Sequence, residues 1–319
     1  MRTAVGCLLI GALLLVPFVV AEVWLRHVGL GFPVLYYENP AYGYALRPNQ
    51  RVGRLRDATV TIDSAGLRST VDWTEPAALK ILFLGDSVTY GGSYIDDRDL
   101  FSERVCALLA EKLQRTSNCG NAGVNAYGLD NMTGRLRYKE FDDEDVIVLV
   151  VVSGDARRAF VSLESLPYFA KAPPQPIPAI TELFAFAIDR LRHLIRFNDA
   201  PSGGADRTLE LADESLDRLL DALRSEQEEN KRILLVHSPD RNETQNGYHH
   251  LDKLVFERLR DSGLEFIEMR EALVGEDLEE VYYDNVHLEV RGHAIYGEVI
   301  ADRIARMLQP GHGLGAEKE

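Results

Sequence analysis

The chain has 319 residues, 46% of them hydrophobic, enough to bury a full core in one large domain or in one domain with a small cap. Nothing in that composition fits a disordered or fibrous protein. Asp and Glu number 50 against 35 Lys and Arg, a net charge of -15, so the surface repels phosphate backbones and nucleic acid is not expected as a partner.

From Ala4 to Ala21 the sequence AVGCLLIGALLLVPFVVA carries no charge, with Arg2 before it and Glu22, Arg26 and His27 after it. Roughly 18 to 20 apolar residues suffice to cross a bilayer core, so residues 1–26 read as a membrane helix that anchors the chain. The alternative is a signal sequence cleaved after Val19-Val20-Ala21. Arg2 and the terminal amine favour a cytoplasmic N-terminus, which puts the body on the periplasmic or extracellular side. Cys7 lies in the apolar run, while Cys106 and Cys119 in the body are either a disulfide or two buried free thiols.

Residues 27–78, rich in Pro, Tyr, Gly and Asn, read as a loop-rich preface with short strands, among them the alternating stretch Ala58 to Ile62. The regular body is expected over 79–309. Buried strands are predicted at Leu79 to Leu84, Asp145 to Val152 and Arg232 to Val236, with a weaker one at Leu264 to Ile267 and another before Asn121. Helical spacing occurs at Leu100 to Leu113, Leu129 to Glu140, Leu209 to Arg224, Leu251 to Arg260 and Arg291 to Leu308. Strands alternating with helices imply a three-layer α/β fold with a parallel sheet, order 2-1-3-4-5. An insertion over about 157–207 holds the Pro-rich stretch Lys171 to Pro176, a helix pattern from Thr181 to Phe197 and the breaker Pro201-Ser202-Gly203-Gly204. It is read as a helical pair on the sheet edge, with a lid or a membrane-facing surface as alternatives. Residues 310–319 are expected to be a disordered tail.

Ligands of open parallel sheets gather at the carboxyl ends of the strands, so the residues just past each apolar run are the candidates. After the first strand comes Gly85-Asp86-Ser87-Val88-Thr89-Tyr90-Gly91-Gly92, where Ser87 is placed as an exposed nucleophile or as a plain helix N-cap. After the second comes Asn121 to Gly128, whose small residues let backbone N–H groups approach a reacting oxygen, as a tight turn also would. After the third comes Ser153-Gly154-Asp155. Before the last helix stands Asp284-Asn285-Val286-His287, in which the carboxylate can hold the imidazole while the other ring nitrogen takes a proton from a hydroxyl. Among other polar residues, His249-His250 reads as an exposed pair without further ligands at metal spacing, His237 as a core histidine, and Arg157-Arg158 as a solvated charge pair. No cofactor or metal is called for.

Leu84 to Gly91 and Asp284 to Leu288 resemble the nucleophile block and the last block of the SGNH, or GDSL-type, hydrolases; the resemblance runs from about Leu79 to Leu308 without the insertion. It implies a flavodoxin-like fold, a catalytic triad of Ser87, His287 and Asp284, and an oxyanion held by the N–H groups of Ser87 and Ala126. Two departures stand out. Ala126 replaces the usual second-block glycine, and Gly154 stands where the third block supplies an asparagine amide; Asn125 is the nearest substitute in sequence. The segment Asp63 to Arg68 is similar to one found ahead of the nucleophile in anchored members. The implied function is a serine esterase acting on ester or acetyl-ester groups, of cell-envelope glycans or lipids given an exported position. An O-acyltransferase to sugar hydroxyls and a non-catalytic binding module on the same fold are the alternatives.

Overall fold

The computed structural model describes residues 2–138, 140–158, 160–166, 170–171, 175–196 and 205–309. The expected tail, the breaker at 201–204 and part of the Pro-rich stretch lie outside these residues, as do the side chains up to residue 14 in the apolar run.

Helix α1 (Arg2–His27) leads into two antiparallel pairs, β1 (Tyr36–Asn39) with β2 (Gly43–Leu46) and β3 (Gln50–Gly53) with β4 (Thr59–Ile62). The body follows as β5 (Leu79–Leu84), α2 (Ser87–Tyr90), α3 (Phe101–Leu113), β6 (Ser117–Asn121), α4 (Leu129–Tyr138) and β7 (Val146–Val151). Next come α5 (Ala179–Arg196), α6 (Ala205–Glu228), β8 (Arg232–His237), α7 (Arg241–Asn246), α8 (Leu251–Arg260) and β9 (Glu265–Glu268). The short helices α9 (Met269–Ala272) and α10 (Leu278–Val281) precede α11 (Val290–Met307).

Strands β6-β5-β7-β8-β9 form one parallel sheet, which is the order 2-1-3-4-5 expected for the body. The middle strand β7 is buried at every position because both faces are covered. One face packs on α3 and α11 through Ile81, Phe83, Val148, Val105, Leu109, Ile300 and Ile304. The other packs on α4, α6 and α8 through Leu82, Leu84, Ile147, Met132, Leu219 and Val255. Cys106 on α3 and Cys119 on β6 are joined as a disulfide, with Cα atoms 5.8 Å apart, which replaces the free-thiol reading.

The preface is more deeply embedded than a loop-rich segment suggests. Tyr42, Tyr44, Leu46, Val60 and Ile62 are buried, and most join the second of these core faces. Arg68 pairs with Ile62 and Asn121, so the preface continues onto the outer edge of β6. Its guanidinium is wholly buried. It donates to Asp97, to the carbonyls of Tyr90 at the end of α2 and Gly92 beyond it, and to that of Ile95. A buried arginine is tolerable only with its donors satisfied in this way.

Helix α5 of the insertion meets α1 and the preface through its described residues. Glu22 of α1 accepts from the N–H groups of Ala179 and Ile180, while Glu182 accepts from Gly31 N–H and pairs with buried Arg54 at 2.6 Å. The helix is thereby tied to α1 and the preface. Among the described residues no helix is long and apolar enough to cross a membrane.

Candidate active site

The turn after β5 is forced tight by small residues. A Cβ at Gly85 would stand 2.7 Å from the Val150 carbonyl oxygen, and one at Gly123 would stand 2.2 Å from Tyr90 N. The first approach sets the turn after β5 against β7, and the second brings the turns after β5 and β6 against each other. Asp86 caps α2, its Oδ1 accepting from Val88 N–H at 2.8 Å, and Ser87 is left half-buried at the start of the helix.

The loop before α11 is folded back on itself: Tyr283 N–H donates to the His287 carbonyl at 2.8 Å, and Arg241 N–H at the start of α7 donates to the Asn285 carbonyl at 2.8 Å. Within it, Asp284 Oδ1 accepts from the N–H groups of Val286 and His287, each at 2.8 Å. Its Oδ2 lies 2.8 Å from His287 Nδ1, and His287 Nε2 lies 2.9 Å from Ser87 Oγ. With the proton on Nδ1, the imidazole donates to the carboxylate and Nε2 is free to accept from the serine hydroxyl. A longer contact of 3.3 Å to Asp86 Oδ2 is the alternative for that hydroxyl.

The electrostatics fit this arrangement. Burial would raise Asp284, but hydrogen bonds from His287 and from two backbone N–H groups, with the nearby imidazole charge, bring it to about 2. Burial would lower His287, yet the hydrogen bond and charge of Asp284 outweigh it and the imidazole sits above its ordinary value. A half-buried base with a raised pKa, fixed by an ionised carboxylate, can accept a proton from a hydroxyl and return it to a leaving group.

Ala126 adopts φ 64°, and neither its N–H nor that of Ser87 has a partner among the described residues. Asn125 is turned away into the preface, donating Nδ2 to Tyr36 Oη at 2.9 Å. Gly154 is half-buried with open space around the place of a Cβ. Arg157 is an exposed partner of Asp252, and His249 and His250 are exposed. Arg158 departs from the solvated reading: its Nη1 bonds Asp86 Oδ2 at 3.0 Å, Asp155 Oδ1 at 2.8 Å and the Tyr127 carbonyl at 2.8 Å. Its place three residues after Asp155 at a strand end was the available signal.

No family model and no curated protein matches the chain. Among solved structures it is similar to a lipase/acylhydrolase from Enterococcus faecalis, at 18% identity and TM-score 0.45, over 73% of this chain and 98% of that one. It is similar to a two-domain esterase active on acetylated mannans, at 15% identity and TM-score 0.45, over 76% of this chain; it spans about half (52%) of that esterase. A member of the lipolytic G-D-S-L family from Veillonella parvula gives 11% and 0.39, over 72% and 98%. Likeness of this degree leaves the functional question to the side chains.

Proposed function

We propose that the chain is a serine ester hydrolase of the SGNH type. The observation that carries this reading is the continuous hydrogen-bond chain Asp284–His287–Ser87 at the carboxyl end of the sheet. Ser87 Oγ attacks the ester carbonyl carbon as His287 Nε2 takes its proton, and the N–H groups of Ser87 and Ala126 hold the oxyanion. As the tetrahedral intermediate collapses, His287 protonates the departing alcohol, leaving the acyl group on Ser87. Water then attacks that ester, giving its proton to His287, and the acid and the free serine are released. Asp284 keeps the imidazole in the productive tautomer throughout.

The preferred substrates are esters or acetyl esters of cell-envelope glycans or lipids. What supports this position is the disulfide, which persists in an oxidising compartment, and the exposed apolar side chains of α1 from Leu15 to Trp24. Residues 1–26 then serve as anchor or signal. Transfer of the acyl group to a sugar hydroxyl instead of water would use the same residues, and analysis of products with and without an acceptor sugar separates the two.

The deciding experiment is labelling of the full chain with a fluorophosphonate. Ser87 is expected to be modified, and Ser87→Ala to lose both labelling and ester hydrolysis while staying folded. Ester hydrolysis undiminished in Ser87→Ala would remove the mechanism.

A further inference from the structure

The third strand-end turn has no side chain where an amide donor belongs, and Asn125 is committed to Tyr36. Arg158 closes that same turn, directly after the short helical stretch Ser153–Arg157. Its Nη1 has one acceptor from each of the three turns at the carboxyl end of the sheet. Asp86 adjoins Ser87, Tyr127 adjoins Ala126, and Asp155 adjoins Gly154. The guanidinium is therefore centred where the three turns meet, and it shares Asp86 Oδ2 with the nucleophile oxygen. Nη2 and Nε have no acceptor among the described residues, and the side chain is 34% exposed, which leaves these donors free for a ligand.

We propose that Arg158 supplies the oxyanion donor that the third turn lacks, given the serine-hydrolase reading above. No covalent change occurs at the arginine: a free N–H donates to the carbonyl oxygen as it gains charge in the tetrahedral intermediate, a charge-assisted bond stronger than an amide would give. Burial, and then the neighbouring Asp86 charge, push the Asp155 carboxyl well above its ordinary value, which lessens the competition of the flanking carboxylates for the guanidinium. A planar guanidinium is also able to hold the turns with one edge and present the other, which an ammonium cannot do.

The test uses the full chain with Arg158→Gln and Arg158→Lys, p-nitrophenyl acetate as substrate and a fluorophosphonate as probe. Removing one oxyanion donor costs roughly 10²- to 10³-fold in turnover. Arg158→Gln is expected to lose kcat by about that factor with KM nearly constant, and its rate of Ser87 phosphonylation is expected to fall in parallel, since the phosphonyl oxygen occupies the oxyanion position. Arg158→Lys retains a cation beside Asp86, so it guards against a folding failure of the first variant; its melting temperature stays near wild type while kcat still falls at least about tenfold. Adding Gly154→Asn to Arg158→Gln is expected to restore part of the loss, because a side chain fits at Gly154. The proposal is overturned if folded Arg158→Lys keeps wild-type kcat and phosphonylation rate, or if the loss appears in KM alone. A wild-type chain that is never labelled at Ser87 refutes the underlying hydrolase reading instead, a result distinct from either.

Discussion

Asp284→Asn is the sharpest perturbation of the site because the structure dictates how the new amide must sit. Two backbone N–H groups, those of Val286 and His287, aim at Oδ1 from 2.8 Å and require an oxygen there. The amide oxygen takes that place, and its NH₂ is left facing His287 Nδ1, which Asp284 Oδ2 now contacts at 2.8 Å. The ring answers by carrying its proton on Nε2, turned toward Ser87, where it can no longer accept one. Fixing the wrong tautomer in a Ser-His-Asp site costs about 10⁴-fold in kcat, or roughly 5 to 6 kcal/mol of transition-state stabilisation. Partial exposure of this loop argues for a somewhat smaller loss, near 10³-fold. His287→Ala, which removes the base altogether, is expected to lose more. Steady-state hydrolysis of p-nitrophenyl acetate reads both, with thermal unfolding as the check on folding. Activity of Asp284→Asn within tenfold of wild type would refute the tautomer argument.

Because His287 acts as base only when neutral and its pKa lies above the ordinary 6.5, kcat/KM is expected to fall, as pH is lowered, from a midpoint above 6.5. Asp284→Asn removes the raising influences and leaves burial, so its midpoint moves below that of wild type; an unshifted midpoint would contradict the assignment. The Cys106–Cys119 bridge spans a sequence separation of 13, for which loop-closure entropy gives about 3 kcal/mol. Cys106→Ala with Cys119→Ala should therefore lower the melting temperature by roughly 5 to 10 °C, and a thiol count of three on the denatured, unreduced chain would exclude the bridge. Deleting residues 1–26 should release a folded body from the membrane fraction; a full-length chain already found in the soluble fraction would count against the anchor.

The sheet was legible because its central strands are uninterrupted apolar runs, and a parallel strand buried on both faces needs nothing else. Ser87, Asp284 and His287 were legible for a related reason: Ser87 opens the helix that follows β5, and Asp284 and His287 stand in the loop before α11. Strand β6, by contrast, reads Ser117-Asn118-Cys119-Gly120-Asn121 and has no periodic signal. Two of its amides find partners far along the chain: Asn121 Nδ2 donates to the Thr89 carbonyl and Asn118 Nδ2 to the Asp72 carbonyl. The depth at which the preface is buried had no signal in the sequence for the same reason. Tyr42 and Arg68 of the preface, like Tyr127 after β6, are held by groups far along the chain: Glu140, Asp97 and the Tyr44 carbonyl respectively. Local pattern records burial of apolar groups; it does not record a polar group whose partner lies far along the chain. Arg158 was misread for that reason, since its acceptors come from three separate turns.

A serine–histidine contact is not by itself a catalytic one, and this chain contains the comparison needed to show why. Ser153 Oγ lies 3.0 Å from His237 Nε2, almost the spacing found between Ser87 and His287. His237 is fully buried against Tyr248 and Phe256, its Nδ1 has no partner among the described residues, and burial lowers its pKa to about 3. An imidazolium formed there would have no carboxylate on the far nitrogen to hold it, and the resulting cost forbids proton uptake from a serine. Glu243, raised by burial to about 7, accepts from Asp240 N–H and has no hydrogen bond to the ring among the described residues, so it does not supply that charge. His287 differs in each respect: it is half-buried, its far nitrogen meets an ionised carboxylate, and its pKa is raised. Peptide mapping of the fluorophosphonate adduct should therefore find the label at Ser87 and not at Ser153. A label at Ser153 would mean that burial in the folded chain does not suppress the second pair, and the role assigned to Asp284 would fall with it.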